Sequence, residues 1–152
     1  MGYWLMKSEP GEVSIDDVLA MPEQEVAWFG VRNYQARNFM MHDMVRGDGV
    51  LFYHSSCAQP GIVGLAKVSR DAAVDATQFD PDSPYFDPRS SLHKPRWHCV
   101  TVRVERKTRL LGLKELRQYP ALAAMGILAR GNRLSITPVT ETEWVFIQHL
   151  LE

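Results

Sequence analysis

Residues 50–68 read VLFYHSSCAQPGIVGLAKV, and this stretch carries the clearest indication of the fold. Val50–His54 and Ile62–Val68 are short apolar runs rich in β-branched and aromatic residues, which favour strands. Pro60 and Gly61 between the runs are typical of a turn. The stretch therefore predicts two successive strands joined by a turn.

Four further segments are predicted to be strands on similar grounds: Tyr3–Met6, Val26–Phe29, Trp97–Val104 and Leu134–Val139. Together they make about six short strands, separated by loops and a few helices. This order lacks the regular strand–helix alternation of a doubly wound sheet. We therefore predict an α+β fold, a mixed β-barrel of about five to six strands with peripheral helices, in a single domain over residues 1–152.

The helices and the longest loop are indicated by capping residues and prolines. Ser14–Asp17 and Thr140–Glu143 have the spacing of capping boxes, and Asn33 has the residue type of an N-cap. Leu113–Arg130 is predicted to be helical in two pieces. Asp75–Pro95 is polar and holds four prolines, so we predict a long loop, and such loops are often functional.

The charge of the chain is balanced overall but uneven along its length. Lys and Arg number 17 against 18 Asp and Glu, so the chain lacks the basic excess of a strong nucleic-acid binder. Residues 89–109 carry seven basic side chains and one acid, and residues 70–87 carry five aspartates and one arginine. A basic stripe beside an acidic loop would steer a polyanion to one face. Two solvated surfaces of opposite sign are the competing interpretation.

Cysteine, histidine and hydropathy patterns argue against several classes of protein. Cys57 and Cys99 form no Cys-x-x-Cys pair, and two free thiols favour a reducing, cytoplasmic environment. The five histidines lack metal-ligand spacing, so we expect no metal and no other cofactor. No apolar run reaches the ~18 residues of a membrane span, and the start of the sequence lacks a signal-peptide core, so no membrane partner is expected.

The stretch WFGVRNYQARNF, residues 28–39, combines an aromatic residue, a glycine turn and a basic helix start. A helix N-terminus offers unpaired backbone N–H groups to an anion or a carbonyl oxygen. Trp28 could lie against a base, and Arg32 and Arg37 could contact phosphate. The competing interpretation is a core tryptophan beside solvated arginines.

Hydroxyl groups and an imidazole follow one of the strong strands. His54, Ser55 and Ser56 could read the edge of a small planar ligand. A nucleophilic serine beside His54 is disfavoured, because neighbouring residues of an extended segment point to opposite faces and no Gly-x-Ser-x-Gly motif is present.

Two other segments carry polar and aromatic residues of the same kind. Tyr85 lies within the long loop, and Arg96-Trp97 lies at its far end, where aromatic rings could close over a ligand or simply anchor the loop. Arg130–Ser135 is a basic turn before a strand, for which a plain surface turn is the alternative.

Taken together, the ordered motifs resemble the EVE domain family over nearly the whole chain. They are Tyr3-Trp4-Leu5-Met6-Lys7-Ser8-Glu9-Pro10, Trp28-x-Gly30-Val31-Arg32-Asn33-Tyr34-Gln35-Ala36-Arg37-Asn38, Gly47-Asp48, Tyr53-His54-Ser55, Gly61-Ile62-Val63-Gly64, Asp75-x-Thr77-Gln78-Phe79-Asp80, Pro95-Arg96-Trp97 and Arg133-Leu134-Ser135-Ile136-x-Pro138-Val139. The resemblance implies a PUA-like barrel, of the kind that forms bacterial single-domain proteins. It also implies a non-catalytic pocket for a flipped, modified nucleobase, with modified cytosine in DNA favoured.

The resemblance also assigns roles to individual residues. A base modification has to be read on the base, because phosphate contacts carry no sequence information. The residues expected to bind the base are Trp28, Asn33, Tyr34, His54, Ser55, Ser56, Tyr85, Trp97, Lys7, Ser8 and Glu9. Those expected to hold phosphates are Arg32, Arg37, Arg96 and Arg130. Three alternatives stay open: a reader of modified RNA such as tRNA, an enzyme acting on nucleotides or RNA like some ASCH relatives, and a protein adaptor built around Trp144.

Overall fold

A computed structural model describes residues 2–152 and contains one six-stranded mixed sheet. The strands are β1 (Tyr3–Ser8), β2 (Glu25–Ala27), β3 (Gly49–His54), β4 (Gly61–Val74), β5 (His98–Gly112) and β6 (Ile136–Val139). Their order across the sheet is β2-β5-β4-β3-β1-β6. β1 and β3 run parallel, and every other neighbouring pair is antiparallel.

The predicted α+β class and six mixed strands are confirmed, but the sheet does not close. Across residues 2–152, β2 pairs only with β5 and β6 pairs only with β1, so both are edge strands. β4 and β5 extend to Val74 and Gly112, well beyond the predicted strand ends. Irregular pairing between β4 and β5, with several register shifts, accompanies this length. Bulges of this type bend and twist a sheet.

The sheet is buried on both faces, which explains the continuous apolar runs of its central strands. Along β1, Trp4 and Met6 belong to one core cluster and Leu5 belongs to the other. In β3, Phe52 and Tyr53 divide between the two clusters in the same way. Alternate residues of a strand point to opposite faces, so each strand contributes to both cores.

Short helices cover the two faces. The α-helices are α1 (Ile15–Leu19), α2 (Tyr34–Asn38), α3 (Leu113–Leu116) and α4 (Glu141–Leu150), and a π-helix follows α2 at Phe39–Asp43. Short 3₁₀ helices occupy Pro22–Gln24, Ala76–Phe79, Pro120–Leu122 and Gly126–Leu128. Both predicted capping boxes and the Asn33 N-cap form. The predicted helical region 113–130 is broken into one turn of α-helix and two 3₁₀ pieces.

The structure does not support a protein adaptor built around Trp144, because this side chain is buried. Trp144 on α4 is only 9% exposed, and its ring stacks on Tyr3 at 4.7 Å between ring centroids. A Cβ on Gly49 would come within 2.7 Å of the same ring. Trp144 is therefore part of the core.

No helix within residues 2–152 is both long and apolar enough to span a membrane.

Candidate functional site

A cavity of ≈ 470 Å³ opens where the ends of β1 and β3 meet the segment between β2 and α2. It is lined by Lys7, Ser8, Glu9, Glu12, Val13, Val26, Ala27, Trp28, Phe29, Gly30, Val31, Arg32, Asn33, Ser55, Ser56, Tyr85, Arg133 and Ser135. Nine of the fifteen predicted site residues line this cavity. They come from four separate segments of the chain, which the fold brings together.

The parallel pairing of β1 and β3 explains part of this convergence. Both strands end at the same edge of the sheet, where Ser8 lies opposite His54. The Ser55 backbone N–H donates to the Ser8 carbonyl at 2.9 Å. On the other side of β1, the Lys7 backbone N–H donates to the Ser135 carbonyl at 2.8 Å. Polar residues at the end of β1, after β3 and before β6 therefore share one cavity.

Trp28 forms an aromatic wall of the cavity and is also part of the core. It is 7% exposed and meets Phe52 edge to face at 5.2 Å between ring centroids. Its backbone N–H donates to the Val100 carbonyl at 2.9 Å. Within residues 2–152, the indole Nε1 has no hydrogen-bond acceptor, although Nε1 is a donor. The ring therefore contributes to the cavity wall, and its N–H is without a partner in the described chain.

Tyr85 reaches the cavity from the long loop and packs against the glycine turn. Gly30 has a φ of +82°, and a Cβ there would come within 2.8 Å of the Tyr85 ring. The Tyr85 hydroxyl donates to Glu12 Oε2. Burial, together with this hydrogen bond, raises the pKa of Tyr85 to about 12. The hydroxyl is therefore protonated at neutral pH and links the loop to the turn after β1.

Arg32 holds the loop that carries Tyr85, rather than being available for phosphate as the sequence predicts. Its Nε and Nη2 donate to the Tyr85 carbonyl at 3.1 and 2.7 Å. Nη1 donates to the Val31 carbonyl and to Asp75 Oδ2, and Nη2 also donates to Thr77 Oγ1. All five guanidinium donors are thus satisfied inside the chain.

Asp75 is the counterpart of this arginine and is 2% exposed. Its carboxylate accepts from the backbone N–H groups of Gly30 at 2.8 Å and Thr77 at 2.9 Å, as well as from Arg32 at 3.1 Å. Burial on its own would raise the pKa of Asp75, but the hydrogen bonds from Thr77, Gly30 and Arg32 outweigh it and lower the pKa. The buried carboxylate therefore ties the glycine turn to the long loop.

Several polar side chains of the cavity remain unpaired. Lys7 is partly buried, and burial lowers its pKa. Its ammonium has no carboxylate within 4.0 Å among residues 2–152. The side chains of Ser55 and Ser56 likewise make no hydrogen bond to another side chain or backbone group in the described chain. The cavity therefore holds donors that a bound polar molecule could satisfy.

Four predicted residues lie outside the cavity, in a surface cluster that we call the arginine–aromatic cluster: Tyr34, Arg37, Arg96 and Trp97. Tyr34 stacks on Trp97 at 4.9 Å, and the Arg37 guanidinium lies 4.6 Å from the Tyr34 ring centroid. Arg96 Nη1 approaches the Tyr34 hydroxyl at 3.4 Å.

The sequence predicts a ligand-facing ring for Trp97, but Trp97 is 5% exposed and its Nε1 donates to Asp87 at 2.7 Å. Its ring is covered by Tyr34 and its N–H anchors the loop. Trp97 and Tyr34 therefore do not line the cavity.

His54 and Arg130 are also absent from the cavity. His54 Nε2 accepts a hydrogen bond from the Ile15 backbone N–H at 3.1 Å, and the ring lines a separate cavity beside Cys57. Burial lowers the pKa of His54. The imidazole caps α1 and is not placed to activate Ser55. Arg130 is exposed, and Arg133 lines the cavity in its place.

The cavity residues that the sequence analysis missed are chiefly Glu12, Phe29, Gly30, Arg133 and Ser135. Gly30 and Phe29 lie inside the stretch already singled out, so their position could have been inferred. Arg133 and Ser135 lie inside the basic turn Arg130–Ser135, which the sequence analysis also singled out. Glu12 had no local signal. Among residues 2–152, no group of three His, Cys, Asp or Glu side chains is arranged to hold a metal ion.

Comparison with known proteins places this chain in a family. The model of the EVE domain matches residues 2–150. Mouse thymocyte nuclear protein 1 is 43% identical over 99% of this chain and 74% of its own length. A crystal structure of a Pseudomonas putida protein superimposes with a TM-score of 0.93 at 44% identity, covering 99% of both chains. Human THYN1 protein in complex with 5-methylcytosine containing DNA gives a TM-score of 0.93 at 41% identity, covering 100% of this chain and 98% of that one. This chain therefore belongs to the EVE domain family.

Proposed function

We propose that the cavity binds one modified nucleobase, flipped out of a nucleic-acid strand, and holds it without chemical conversion, with modified cytosine in DNA the favoured ligand. The observation that carries this proposal is the cavity itself, which joins the Trp28 wall to unpaired donors at the ends of β1 and β3. The human relative captured with 5-methylcytosine DNA supports the choice of ligand.

The energetics require both aromatic and polar contacts. Flipping a base out of a duplex costs a few kcal/mol, and base–aromatic stacking returns about 1–3 kcal/mol per base. Trp28 exposes only 7% of its surface, so it offers an edge and part of a face rather than a whole ring. Stacking alone cannot hold the base, so hydrogen bonds to its edge are also required. In this proposal they come from the Trp28 N–H, the serine hydroxyls and Lys7.

An enzyme acting on nucleotides has less support from the geometry. His54, the residue that would have to act as a base beside Ser55, accepts a hydrogen bond from Ile15 and faces a different cavity. Binding of modified RNA would use the same cavity, so it is an outcome of the test below.

The deciding experiment is a titration of matched oligonucleotides. Duplex DNA with one 5-methylcytosine is compared with the same duplex carrying cytosine, and an RNA strand with the same modified base forms the third arm. We expect the modified DNA to bind at least about tenfold more tightly than the unmodified DNA, since one additional carbon held in an apolar pocket is worth about 1–3 kcal/mol. Equal affinity for modified and unmodified strands would contradict the proposal, and preference for the RNA arm would identify the alternative ligand.

Salt is expected to weaken binding only moderately. The chain has a net charge of -1, and few arginines remain for phosphate once Arg32 is tied to Asp75. Each neutralised phosphate contributes about 0.7–0.9 to the log–log slope. We therefore expect a shallow slope in a titration series at increasing salt. A slope as steep as that of a strongly basic duplex binder would contradict a cavity-centred mode.

The Arg37→Ala substitution is expected to separate phosphate contacts from base contacts. Arg37 lies in the arginine–aromatic cluster, one helical turn from the cavity residue Asn33. Loss of its charge should lower oligonucleotide affinity by about twofold to tenfold, the range expected for one phosphate contact. Affinity for the free nucleoside should not change, because a nucleoside has no phosphate. An equal loss of affinity for the oligonucleotide and for the free nucleoside would show that Arg37 does not act through a phosphate.

A further inference from the structure

The cavity contains a cation without a counter-ion. Lys7 is partly buried at the end of β1, and none of the carboxylates described in residues 2–152 lies within ion-pair distance of its ammonium. Partial burial removes water from the charged group, which agrees with the lowered pKa of Lys7. An acceptor atom on a ligand would replace the missing water. The position therefore favours a ligand that presents a carbonyl oxygen or an unprotonated ring nitrogen.

The same cavity contains two carboxylates, only one of which is engaged. Glu12 accepts a hydrogen bond from the Tyr85 hydroxyl. Glu9, exposed at the turn after β1, makes no side-chain hydrogen bond or ion pair within the described chain. Glu9 lines the same cavity as Glu12 and Tyr85. An ionised carboxylate only accepts hydrogen bonds, so Glu9 favours a ligand with a donor group.

We propose that Lys7 and Glu9 together select a base that carries an amino group next to a ring acceptor, and so distinguish 5-methylcytosine from thymine. This inference rests on the proposed function. The two bases share the methyl group on C5. Cytosine has a donor amino group at the position where thymine has the O4 acceptor, and carboxylates accept from the cytosine amino group. In front of Glu9, the oxygen of thymine would face a second acceptor, so one donor–acceptor pair would be replaced by a repulsive contact.

The test compares single-stranded oligonucleotides that differ only in 5-methylcytosine, cytosine or thymine at one position. Single strands are used because thymine opposite guanine would be a mismatch and easier to flip. We expect the parent protein to prefer 5-methylcytosine over thymine by at least about tenfold. Glu9→Gln should reduce that ratio to about twofold or less, because the amide can turn and donate to O4. Lys7→Met should lower affinity for 5-methylcytosine by about tenfold and also reduce the ratio, since N3 is an acceptor in cytosine but carries a proton in thymine and offers the ammonium no acceptor.

Two matched variants control for charge. Glu141→Gln removes one negative charge from an exposed residue of α4, and Lys114→Met removes one positive charge from an exposed residue of α3. Neither residue lines the cavity, so both variants should bind like the parent. Lys7→Arg keeps the charge and shows whether a loss in Lys7→Met reflects charge or folding.

The outcomes separate this inference from the proposed function. A parent protein that binds 5-methylcytosine no better than cytosine overturns the proposed function and, with it, the inference. A parent that prefers 5-methylcytosine to cytosine but binds thymine equally well overturns only the inference. An unchanged 5-methylcytosine-to-thymine ratio in Glu9→Gln also overturns it. A ratio that collapses in Glu9→Gln and persists in Glu141→Gln supports it.

Discussion

Asp75→Ala is expected to destabilise the folded protein by about 3 kcal/mol and to remove base binding. The substitution deletes the acceptor shared by Gly30, Thr77 and Arg32 and leaves the arginine without its counter-ion. Removing one partner of a buried pair costs about 3–5 kcal/mol. Because the Arg32 side chain is 22% exposed, water partly solvates its charge, and we expect the lower end of this range. Tyr85 then loses its support, since Arg32 also holds the Tyr85 carbonyl.

Chemical unfolding of the parent and the variant measures this difference. Asp71→Ala is the matched control, because its carboxylate pairs with Arg46 at 3.9 Å and both side chains are mostly exposed. Exposed ion pairs contribute about 0–1 kcal/mol, so the control should unfold almost like the parent. Equal stability of Asp75→Ala and Asp71→Ala would show that the buried carboxylate does not hold the loop.

The pH dependence of the unfolding free energy is a second, independent test of the role of Asp75. The pKa of folded Asp75 lies below its ordinary value, so its contribution to stability is fully present above the unfolded pKa of about 3.9. The contribution is lost as the pH falls through the lower folded pKa. The difference in unfolding free energy between the parent and Asp75→Asn should therefore be largest near neutral pH and narrow in strong acid. A difference that grows on acidification would contradict this assignment.

Trp28→Ala is expected to have the second large effect, on folding and on binding together. Trp28 is 7% exposed and packs on Phe52, and truncating a buried tryptophan to alanine costs about 3–5 kcal/mol. The same change removes the aromatic wall of the cavity. The molecules that remain folded should therefore bind the base more weakly by about 1–3 kcal/mol, the value of one stacked base. The loss should be the same for modified and unmodified bases, because stacking does not depend on the modification.

Trp28→Phe separates the two roles of this residue. Phenylalanine keeps an aromatic ring against Phe52 but has no N–H. We expect nearly native stability and a loss of about 0.5–1.5 kcal/mol in base affinity, the net value of one hydrogen bond. Melting curves and nucleoside titrations measure the two quantities. Should Trp28→Phe bind like the parent, the indole N–H is not a ligand contact.

The parts of the fold that sequence could predict are those with local causes. The capping boxes at Ser14 and Thr140 and the Asn33 N-cap depend on residues three positions apart, and all three form. The central strands are marked by their own apolar runs. The length of β4 and β5 depends on pairing between distant residues, such as Val74 with His98, and no local pattern reports it.

The site was harder to predict because residue type alone does not show which way a side chain points. Trp28 and Trp97 are both aromatic residues beside a turn or loop, yet Trp97 is sealed by Tyr34 and only Trp28 reaches the cavity. Arg32 resembles a phosphate contact in sequence, and only the fold shows that Asp75 and Tyr85 occupy its donors. For Trp97 and Arg32, contacts with residues distant in the sequence determine whether the side chain is available to a ligand.

The most direct test of the account is the indole region of a nitrogen–proton NMR spectrum during titration with 5-methyl-2′-deoxycytidine. The indole N–H of Trp4 donates to Asp48 and that of Trp97 to Asp87, whereas that of Trp28 has no acceptor within residues 2–152. The Trp28 signal is assigned by its loss in Trp28→Phe. We predict that this signal shifts and saturates with the nucleoside while the Trp4 and Trp97 signals stay in place. A Trp28 signal that does not move when the nucleoside is bound would contradict the central claim that the base enters this cavity.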